Sequence, residues 1–313
     1  MTGINLRGTP GRIAVTLATL AVLATAAGCS TLPDARRLAD ASAQLVSAVA
    51  AGGAMAAGEL DAAGLPERAR ALRQAWRVPE RSIAGLGAYA EALASITQAG
   101  RTGAESVRRV ADAGTALAAG VGLVLPASTA VATGLDVAAT VYRQIASVRA
   151  SAALDEALER MHPVVERAAA LTAAQLEDVA VLLVSANRIA EVKLRAEYAD
   201  ETGYLLALRR ERLALYAQAP LAPANAERLL QIDRVERTVL ARLAPMNAGL
   251  RASEVRLRET LLLIARTRQA LADWVLAHRQ FLHAVRSGGT VDAQALVQSV
   301  TELRELVHRV RAR

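Results

Sequence analysis

Apolar residues recur in steps of three and four along most of this chain, and this spacing constrains its fold more than any other feature. One stripe begins with Leu154, Leu158, Met161 and Val165 and resumes with Leu176, Val179, Leu183, Ala186 and Ala190. Such steps place side chains on one face of an α-helix, whereas a half-exposed strand shows strict alternation. No segment of the sequence shows strict alternation. The sequence therefore predicts an all-α fold.

The longest stripe lies near the C-terminus and predicts a seam between long helices. Its members alternate steps of four and three: Leu257, Leu261, Ile264, Arg268, Leu271, Val275, His278, Leu282 and Val285. A last helix carries Leu296, Val300, Leu303, Val307 and Val310 on one face. Seams of this kind are typical of helices that pack side by side. We expect one elongated bundle of long, coiled-coil-like helices over residues 34–313.

The apolar composition agrees with an elongated bundle. Hydrophobic residues make up 53% of the chain but aromatic residues only 3%, and Phe281 is the single phenylalanine. Much of the hydrophobic content is alanine, the best helix former, which buries little surface per residue. Such a composition favours helices whose backbones approach closely.

Glycine and proline predict the helix boundaries in the first third of the chain. The first helix is expected over residues 34–61, weakened by Gly52 and Gly53. Separate helices are expected to begin at Pro66 and at Pro79, because proline is well tolerated in a first turn. A capping box, with Thr102 as N-cap and Glu105 three residues later, predicts the start of the next helix.

Prolines also mark the second half of the chain. We expect Pro163 to kink its helix without ending it. An uninterrupted helix from Val164 to Ala217 would be about 80 Å long. Pro220 and Pro223 mark the strongest linker, and Thr290 is the expected N-cap of the last helix.

The N-terminus has the layout of a secretory signal. Arg7 and Arg12 precede an uncharged run from Ile13 to Ala27, and small residues close the segment. The run is shorter than the about 20 residues that a membrane span needs. We expect residues 1–28 to be a signal peptide that is removed.

The end of this segment, Ala26-Ala27-Gly28-Cys29, holds the only cysteine of the chain. It resembles the lipobox of bacterial lipoprotein precursors, although Ala26 stands where a leucine is preferred. The resemblance implies a diacylglyceryl group on Cys29, cleavage just before it, and a lipidated tether over residues 29–33. Two or three acyl chains give stable membrane anchoring. The alternative is an ordinary signal peptide with an incidental cysteine.

The resemblance also implies a location. By analogy with enterobacterial sorting, Ser30 in place of aspartate favours the outer membrane. We therefore expect a lipid-anchored protein of the bacterial cell envelope that faces the periplasm. The covalent lipid on Cys29 is the only non-protein group we expect, and no cofactor is inferred.

The charge balance argues against a nucleic-acid partner. Without Arg7 and Arg12 the chain has 35 basic and 30 acidic side chains, a net charge of about +5. Nucleic-acid binding requires clustered basic residues, with aromatic residues for stacking. The sequence shows neither pattern, and we predict no nucleic acid as a partner.

Two Glu-x-x-His pairs are candidate metal ligands by their spacing. Glu159 with His162, and Glu305 with His308, have the spacing found in di-iron helical bundles. Glu305 lies about 200° around its helix from Leu303, so this pair faces away from the apolar stripe. We interpret both pairs as ion pairs and predict no metal site.

Other candidate chemistry is equally weak. His278 and His283 are about 140° apart on a helix and cannot hold one ion, and we interpret His278 as a core-edge histidine with a hydrogen-bond partner. The sequence has no nucleophile elbow and no phosphate-binding glycine loop. We predict that the protein is not an enzyme and infer no small-molecule substrate.

Residues 113–135 form an uncharged stretch of 23 residues. Its bulky or bend-forming members are Leu117, Val121, Leu123, Val124, Leu125, Pro126, Val131 and Leu135. One hypothesis is an apolar helical hairpin whose tip packs inside the bundle. The other is a concealed membrane-inserting element, since the helix layout resembles that of cytolysin A-type α-helical pore formers.

Two functions follow from these observations. The leading hypothesis is a non-enzymatic envelope scaffold that binds a protein partner or itself through helical seams, including the face of the segment IAGLGAYAEALA (residues 83–94). The alternative is a membrane-perturbing or pore-forming protein that acts through residues 113–135.

Overall fold

The computed structural model describes residues 32–99, 104–121, 132–149, 151, 153–218 and 222–311. These residues form eight helices and no strand, which confirms the predicted all-α fold. The helices are α1 Arg36–Ala62, α2 Pro66–Ala99, α3 Ala104–Gly120, α4 Ala132–Arg149, α5 Leu154–Glu197, α6 Ala199–Tyr216, α7 Pro223–Ser287 and α8 Gln294–Arg311. The signal peptide, Cys29 and the Thr102 cap lie outside the described residues.

Helix α7 is the longest element, and the other helices are arranged along it. Its 65 residues correspond to a length of about 98 Å. Helices α5 and α6 run antiparallel to α7, so that Glu159 pairs with Arg286 at one end and Glu211 with Arg228 at the other. Helices α1 and α2 form a hairpin packed on α5 and α7, α8 packs on α7 and α1, and α3 and α4 cover α2 and α5.

The main core lies between α1, α2, α5 and the C-terminal half of α7. Its largest completely buried side chains are Tyr89, Trp274 and Phe281. A second, smaller apolar cluster lies between α6 and the N-terminal half of α7. The chain has few aromatic residues, but three of them supply the largest side chains at the centre of the bundle.

The two glycines expected to weaken the first helix do not interrupt α1. A methyl group at Gly53 would overlap the indole of Trp76, which donates its N–H to the carbonyl of Val49 at 3.0 Å. A methyl group at Gly52 would overlap Leu263. The missing side chains let α2 and α7 approach the α1 backbone closely.

The expectation of separate helices beginning at Pro66 and Pro79 is wrong, because α2 runs continuously through Pro79. A proline inside a helix removes one backbone hydrogen bond and strains the preceding turn. Pro79 is buried, and the packing of α2 against α1, α3 and α5 outweighs that loss. Pro163 likewise lies inside α5 without ending it, as predicted.

The chain from Val164 to Ala217 is not one uninterrupted helix, because it is broken at one residue. Tyr198, with φ −115° and ψ 23°, separates α5 from α6. On either side, the buried residues Leu183 and Leu205 are 22 positions apart, one more than three heptads. In a continuous coiled-coil-like helix, one extra residue rotates the buried face around the helix. The break at Tyr198 lies between the two buried segments, where this extra residue is accommodated.

The C-terminal stripe lies only partly on the buried face of α7. Ile264, Leu271 and His278 are buried, but Arg268 is exposed and Leu257, Leu261, Val275, Leu282 and Val285 are only half-buried. A second row on α7 is buried at every position: Leu263, Thr267, Ala270, Trp274, Ala277, Phe281 and Ala284. Because Trp274 and Phe281 of this row are large and completely buried, their side of α7 is the side that faces the core.

The start of the last helix also differs from the prediction. Asp292 Oδ1, and not Thr290, accepts a hydrogen bond from the backbone N–H of Gln294 at 2.9 Å. Gly288 adopts a left-handed φ of 70° at the end of α7, which favours glycine there. The predicted stripe of α8 is buried at Leu296, Val300, Leu303 and Val307.

Candidate interaction arm

Helix α6 and residues 223–248 of α7 project beyond the rest of the bundle, and we call these two segments the arm. The turn between α1 and α2 marks the base of the arm. Lys193 Nζ donates to the carbonyl of Gly64 at 3.4 Å, and Arg256 pairs with Glu59 at 2.9 Å. Lys193 and Arg256 both lie on the bundle side of the arm residues. The arm therefore extends beyond the turn at which α1 and α2 end.

The arm has a narrow apolar interior. Its buried apolar residues are Leu205, Leu208, Leu229, Ile232, Val239 and Leu243. Two helices alone bury little apolar surface, and such a pair gains little stability from the hydrophobic effect. Additional polar contacts are therefore important for holding α6 against α7.

Ion pairs supply these contacts. Glu236 is only 7% exposed, lies 3.0 Å from Arg209 Nε and also pairs with Arg212. Arg228 donates to Glu211 at 2.6 Å, and this hydrogen bond lowers the pKa of the Glu211 carboxyl. Charge-assisted hydrogen bonds between side chains have strict geometry, so these pairs set the register of the two helices.

The arm and the adjoining part of α5 expose large apolar side chains. On α5 these are Val181, Leu182, Val184, Ile189 and Val192, and on the arm they are Tyr204, Leu206, Leu213, Tyr216, Leu230 and Leu240. Leu213 is 69% exposed and Tyr216 63%. Single exposed apolar residues are normal, but a concentration of them marks an interaction surface.

A second polar group of residues lies inside the bundle, where four helices meet. Tyr89 from α2, His162 from α5 and His278 from α7 form a hydrogen-bonded chain. The Tyr89 hydroxyl is 2.9 Å from His278 Nε2, and the Nδ1 atoms of the two histidines are 3.0 Å apart. Only one of these facing Nδ1 atoms can carry a hydrogen while the other accepts it.

Aromatic stacking extends this cluster to α1. The His278 ring stacks between those of His162 and Trp274, with centroid distances of 5.2 and 5.7 Å. The Trp274 indole N–H donates to Ser42 Oγ at 2.7 Å. The cluster therefore connects α1, α2, α5 and α7.

Burial determines the electrostatics of the cluster. Burial, with a contribution from His162, lowers the pKa of His278 to about 3, and burial raises the pKa of Tyr89. Burial also lowers the pKa of His162, against the opposing effect of Glu166. Arg279 is within reach of both His162 Nε2, at 3.2 Å, and Glu166, at 2.6 Å, where the cluster meets solvent. These groups connect α1, α2, α5 and α7 through hydrogen bonds and ring contacts.

The two candidate Glu-x-x-His pairs do not come together in the structure. Glu159 pairs with Arg286, whereas His162 faces His278. Glu305 and His308 are exposed on α8, and His283 is exposed on α7. Within the described ranges no group of three or more histidine, cysteine, aspartate or glutamate side chains is placed to hold a metal ion. His278 has a hydrogen-bond partner, as predicted, but it is completely buried and not at the core edge.

The sequence did not indicate the contact between His162 and His278, which are 116 positions apart. Their only common signal is that each lies on or beside an apolar stripe. Pairing of the two stripes could have been inferred only from the antiparallel arrangement of α5 and α7.

The apolar hairpin is described only at its two sides. Leu117, at 0% exposure, and Val121, at 4%, are buried, and the Leu117 backbone lies against Gly85. Leu135 lies in α4. Leu123, Val124, Leu125, Pro126 and Val131 lie outside the described residues.

Two helices of the described chain are long and apolar enough to cross a membrane, judged by length and composition alone. They are α1 and α5. Core helices of soluble proteins satisfy the same criterion, and α1 packs its buried face on α2. The result for α5 reflects apolar residues on both its buried and its exposed faces.

The seams predicted to bind a partner are largely occupied by the chain itself. Tyr89, Leu86 and Leu93 in the segment IAGLGAYAEALA are buried, and Arg268 pairs with Glu177. Of the fifteen large apolar side chains exposed in the described residues, eleven lie on α5 and the arm, and the other four, Val255, Leu262, Leu276 and Val297, lie on the rest of α7 and on α8. Compared with known proteins, the chain matches no family model, no curated protein and no solved structure.

Proposed function

We propose that this protein is a lipid-anchored scaffold of the bacterial cell envelope, non-enzymatic and facing the periplasm. Residues 1–28 are removed, Cys29 carries the lipid, and the helical bundle presents the arm to a protein partner. The observation that carries this proposal is that the arm and residue 32, where the described chain begins, lie at opposite ends of α7.

The two sites lie at opposite ends of α7. Residues 32–34, where the proposed tether ends, line one cleft with residues 288–291 after the C-terminus of α7. The arm contains the N-terminus of α7, about 98 Å away along the helix. A lipid on Cys29 would hold one end of the rod at the membrane and leave the arm far from it.

The polar groups support a structural role for the bundle. The buried hydroxyl, imidazole and indole groups are hydrogen-bonded to one another, as stable cores require. The neutral, enclosed histidines differ from a catalytic base, which must reach its substrate. Large apolar side chains, by contrast, are exposed on the arm.

Replacement of the cysteine tests the anchor. Cys29→Ala is expected to abolish labelling by radioactive fatty acid and to release the protein from the membrane fraction. Ser30→Ala, which keeps the thiol, is the matched control and should remain labelled. Persistent labelling of Cys29→Ala, or an unmodified thiol in the mass spectrum of the processed wild-type chain, would overturn the proposed anchor.

Cross-linking in cells tests the scaffold. A photoreactive amino acid at Leu213 or Tyr216 of the arm should capture one specific envelope protein, and the same group at Glu305 on α8 is the control. Equal capture from both positions, or none from the arm, would contradict a partner-binding arm. This result is independent of the result for Cys29.

A further inference from the structure

The backbones that join the bundle to the arm are both weakened near the base of the arm. On one side, the break at Tyr198, with φ −115° and ψ 23°, separates α5 from α6. On the other side, Pro245 lies inside α7 and Gly249 follows four residues later. Proline removes the backbone hydrogen bond to the carbonyl of Ala241, and glycine lowers helix stability. Helices bend most readily at such residues.

Contacts between the antiparallel helices show that these weak points face each other. In the arm, Arg209 pairs with Glu236 at 3.0 Å. On the bundle side, Ser253 Oγ donates to Asn187 at 2.7 Å. The break between α5 and α6 lies 11 residues from Arg209 and 11 from Asn187, and the same steps along α7 lead to positions 247 and 242. The proline of α7 lies between these two positions, so both backbones are interrupted at one level.

The apolar core is interrupted at the same level. None of the residues 187–204 on α5 and α6 is buried, and none of the residues 244–262 on α7 is buried. Ala186 is the last buried residue of the main core on α5, and Leu205 is the first of the separate cluster in the arm. The 18 residues between them correspond to about 27 Å of helix. Little apolar packing therefore opposes a change of angle there.

The arm is connected to the bundle through these helices alone. Of the described helices, only α7 packs along α6. The turn between α1 and α2 contacts Lys193 and Arg256 on the bundle side of the break. Beside these contacts lies an open cavity of about 360 Å³, which is lined by residues that include Leu194, Gly249 and Leu250. The cavity leaves room for the arm to change its angle.

The arm itself is held together as a unit. Its apolar cluster joins α6 to α7, and Glu236 on α7 pairs with Arg209 and Arg212 on α6. All of these contacts lie beyond the break, on the arm side. A change of angle at the break therefore requires none of them to separate.

We propose that Tyr198 and residues 245–249 form a hinge about which the arm swings as a unit relative to the bundle. Hinges are a few residues at the ends or interruptions of helices that absorb a change in backbone angles. This inference goes beyond the scaffold function, because the hinge requires neither the lipid nor a partner. In an anchored scaffold, the hinge lets the arm reach a partner over a range of directions while the bundle stays at the membrane.

Distances between pairs of spin labels test the hinge. The chain has a single cysteine, so in the Cys29→Ala background introduced cysteines are the only labelled sites. Ala214→Cys in the arm is combined with Arg77→Cys on α2 or with Glu305→Cys on α8, all at exposed positions. The two bundle sites lie on different helices, so a swing that leaves one distance unchanged alters the other. Double electron–electron resonance measures the two distance distributions.

Pairs within each part of the molecule are the controls. Arg77→Cys with Glu305→Cys lies within the bundle, and Ala214→Cys with Ala241→Cys lies within the arm. We expect both control distributions to be narrow. At least one bundle-to-arm distribution should be about twice as broad as either control, because only these pairs span the hinge.

Two proline variants test where the motion arises. Pro245→Ala restores a hydrogen-bond donor to α7 and should narrow the bundle-to-arm distribution to about two thirds of its wild-type width. Pro163→Ala, at an exposed proline inside α5 within the bundle, is the matched control and should leave the width unchanged. Circular dichroism confirms that each labelled variant is folded.

Several outcomes would overturn the hinge. Bundle-to-arm distributions as narrow as the controls would show a rigid rod, and a broad distribution within the arm would show that α6 separates from α7 instead. A wild-type width in Pro245→Ala, or equal narrowing in Pro163→Ala, would place the motion elsewhere. The scaffold proposal fails separately, if the arm captures no envelope protein in cells, and that result leaves the hinge unaffected.

Discussion

The imidazole rings of His162 and His278 stack with their Nδ1 atoms 3.0 Å apart, although the two residues belong to different helices. One hydrogen lies between these two nitrogens when both rings are neutral. If both rings were protonated, two N–H groups would face each other. The contact therefore holds α5 to α7 only while at least one ring stays neutral.

Acid should destabilise the protein through His278. Its pKa is about 3 in the fold, against about 6.5 in the unfolded chain, so the unfolded state binds more protons between these values. The contribution of His278 to the free energy of unfolding is then fully present above pH 6.5. Below that pH it falls by up to about 1.4 kcal/mol per pH unit. Urea unfolding at pH 7, 6 and 5 measures the slope.

His278→Gln removes one of the two buried imidazoles and should reduce this dependence between pH 7 and 5, leaving the part that comes from His162. His283→Gln, at an exposed position on the same helix, is the control and should leave it unchanged. An equal slope in wild type and His278→Gln would show that His278 is not responsible.

Two glycines of α1 should respond oppositely to the same substitution. Gly53→Ala places a methyl group on the Trp76 indole and should destabilise the protein by about 1–3 kcal/mol. Gly58→Ala meets nothing within 4 Å and should stabilise it by about 0.5–1 kcal/mol through helix propensity. Urea unfolding of both variants measures the difference, and destabilisation of equal size would contradict the packing at Gly53.

The arm should open independently when its buried carboxylate is neutralised. Glu236→Gln removes the charge that pairs with Arg209 and Arg212, at an expected cost of about 2 kcal/mol. Amide exchange in α6 should become about 30-fold faster, while exchange in α1 stays unchanged. Glu227→Gln, at an exposed position nearby, is the control. Faster exchange in α1 as well would show that the arm and the bundle unfold as one unit.

The scaffold proposal predicts that the purified chain leaves liposomes intact. Leu117 and Val121 are buried and would have to leave the core before their side of the apolar stretch could enter lipid. Release of an encapsulated dye is the measurement. Leakage that Val124→Asp abolishes in a folded protein would instead support the membrane-perturbing function.

Several features of this protein follow from its sequence alone because they depend on neighbouring residues. Steps of three and four specify helices, and the buried stripes of α5 and α8 lie where the spacing predicted. The leader and Cys29 are likewise defined by local pattern, and their processing stays a prediction.

Other features required the tertiary structure because they depend on what lies across from each helix. Helix α5 is apolar on two sides, and only the position of its neighbours decides that Leu183 is buried while Val192 is exposed. Packing likewise carries α2 through Pro79, pairs His162 with His278, and leaves the arm beyond the end of α1 and α2. Local spacing shows which side chains share a helix face, but burial depends on contacts between residues far apart in the chain.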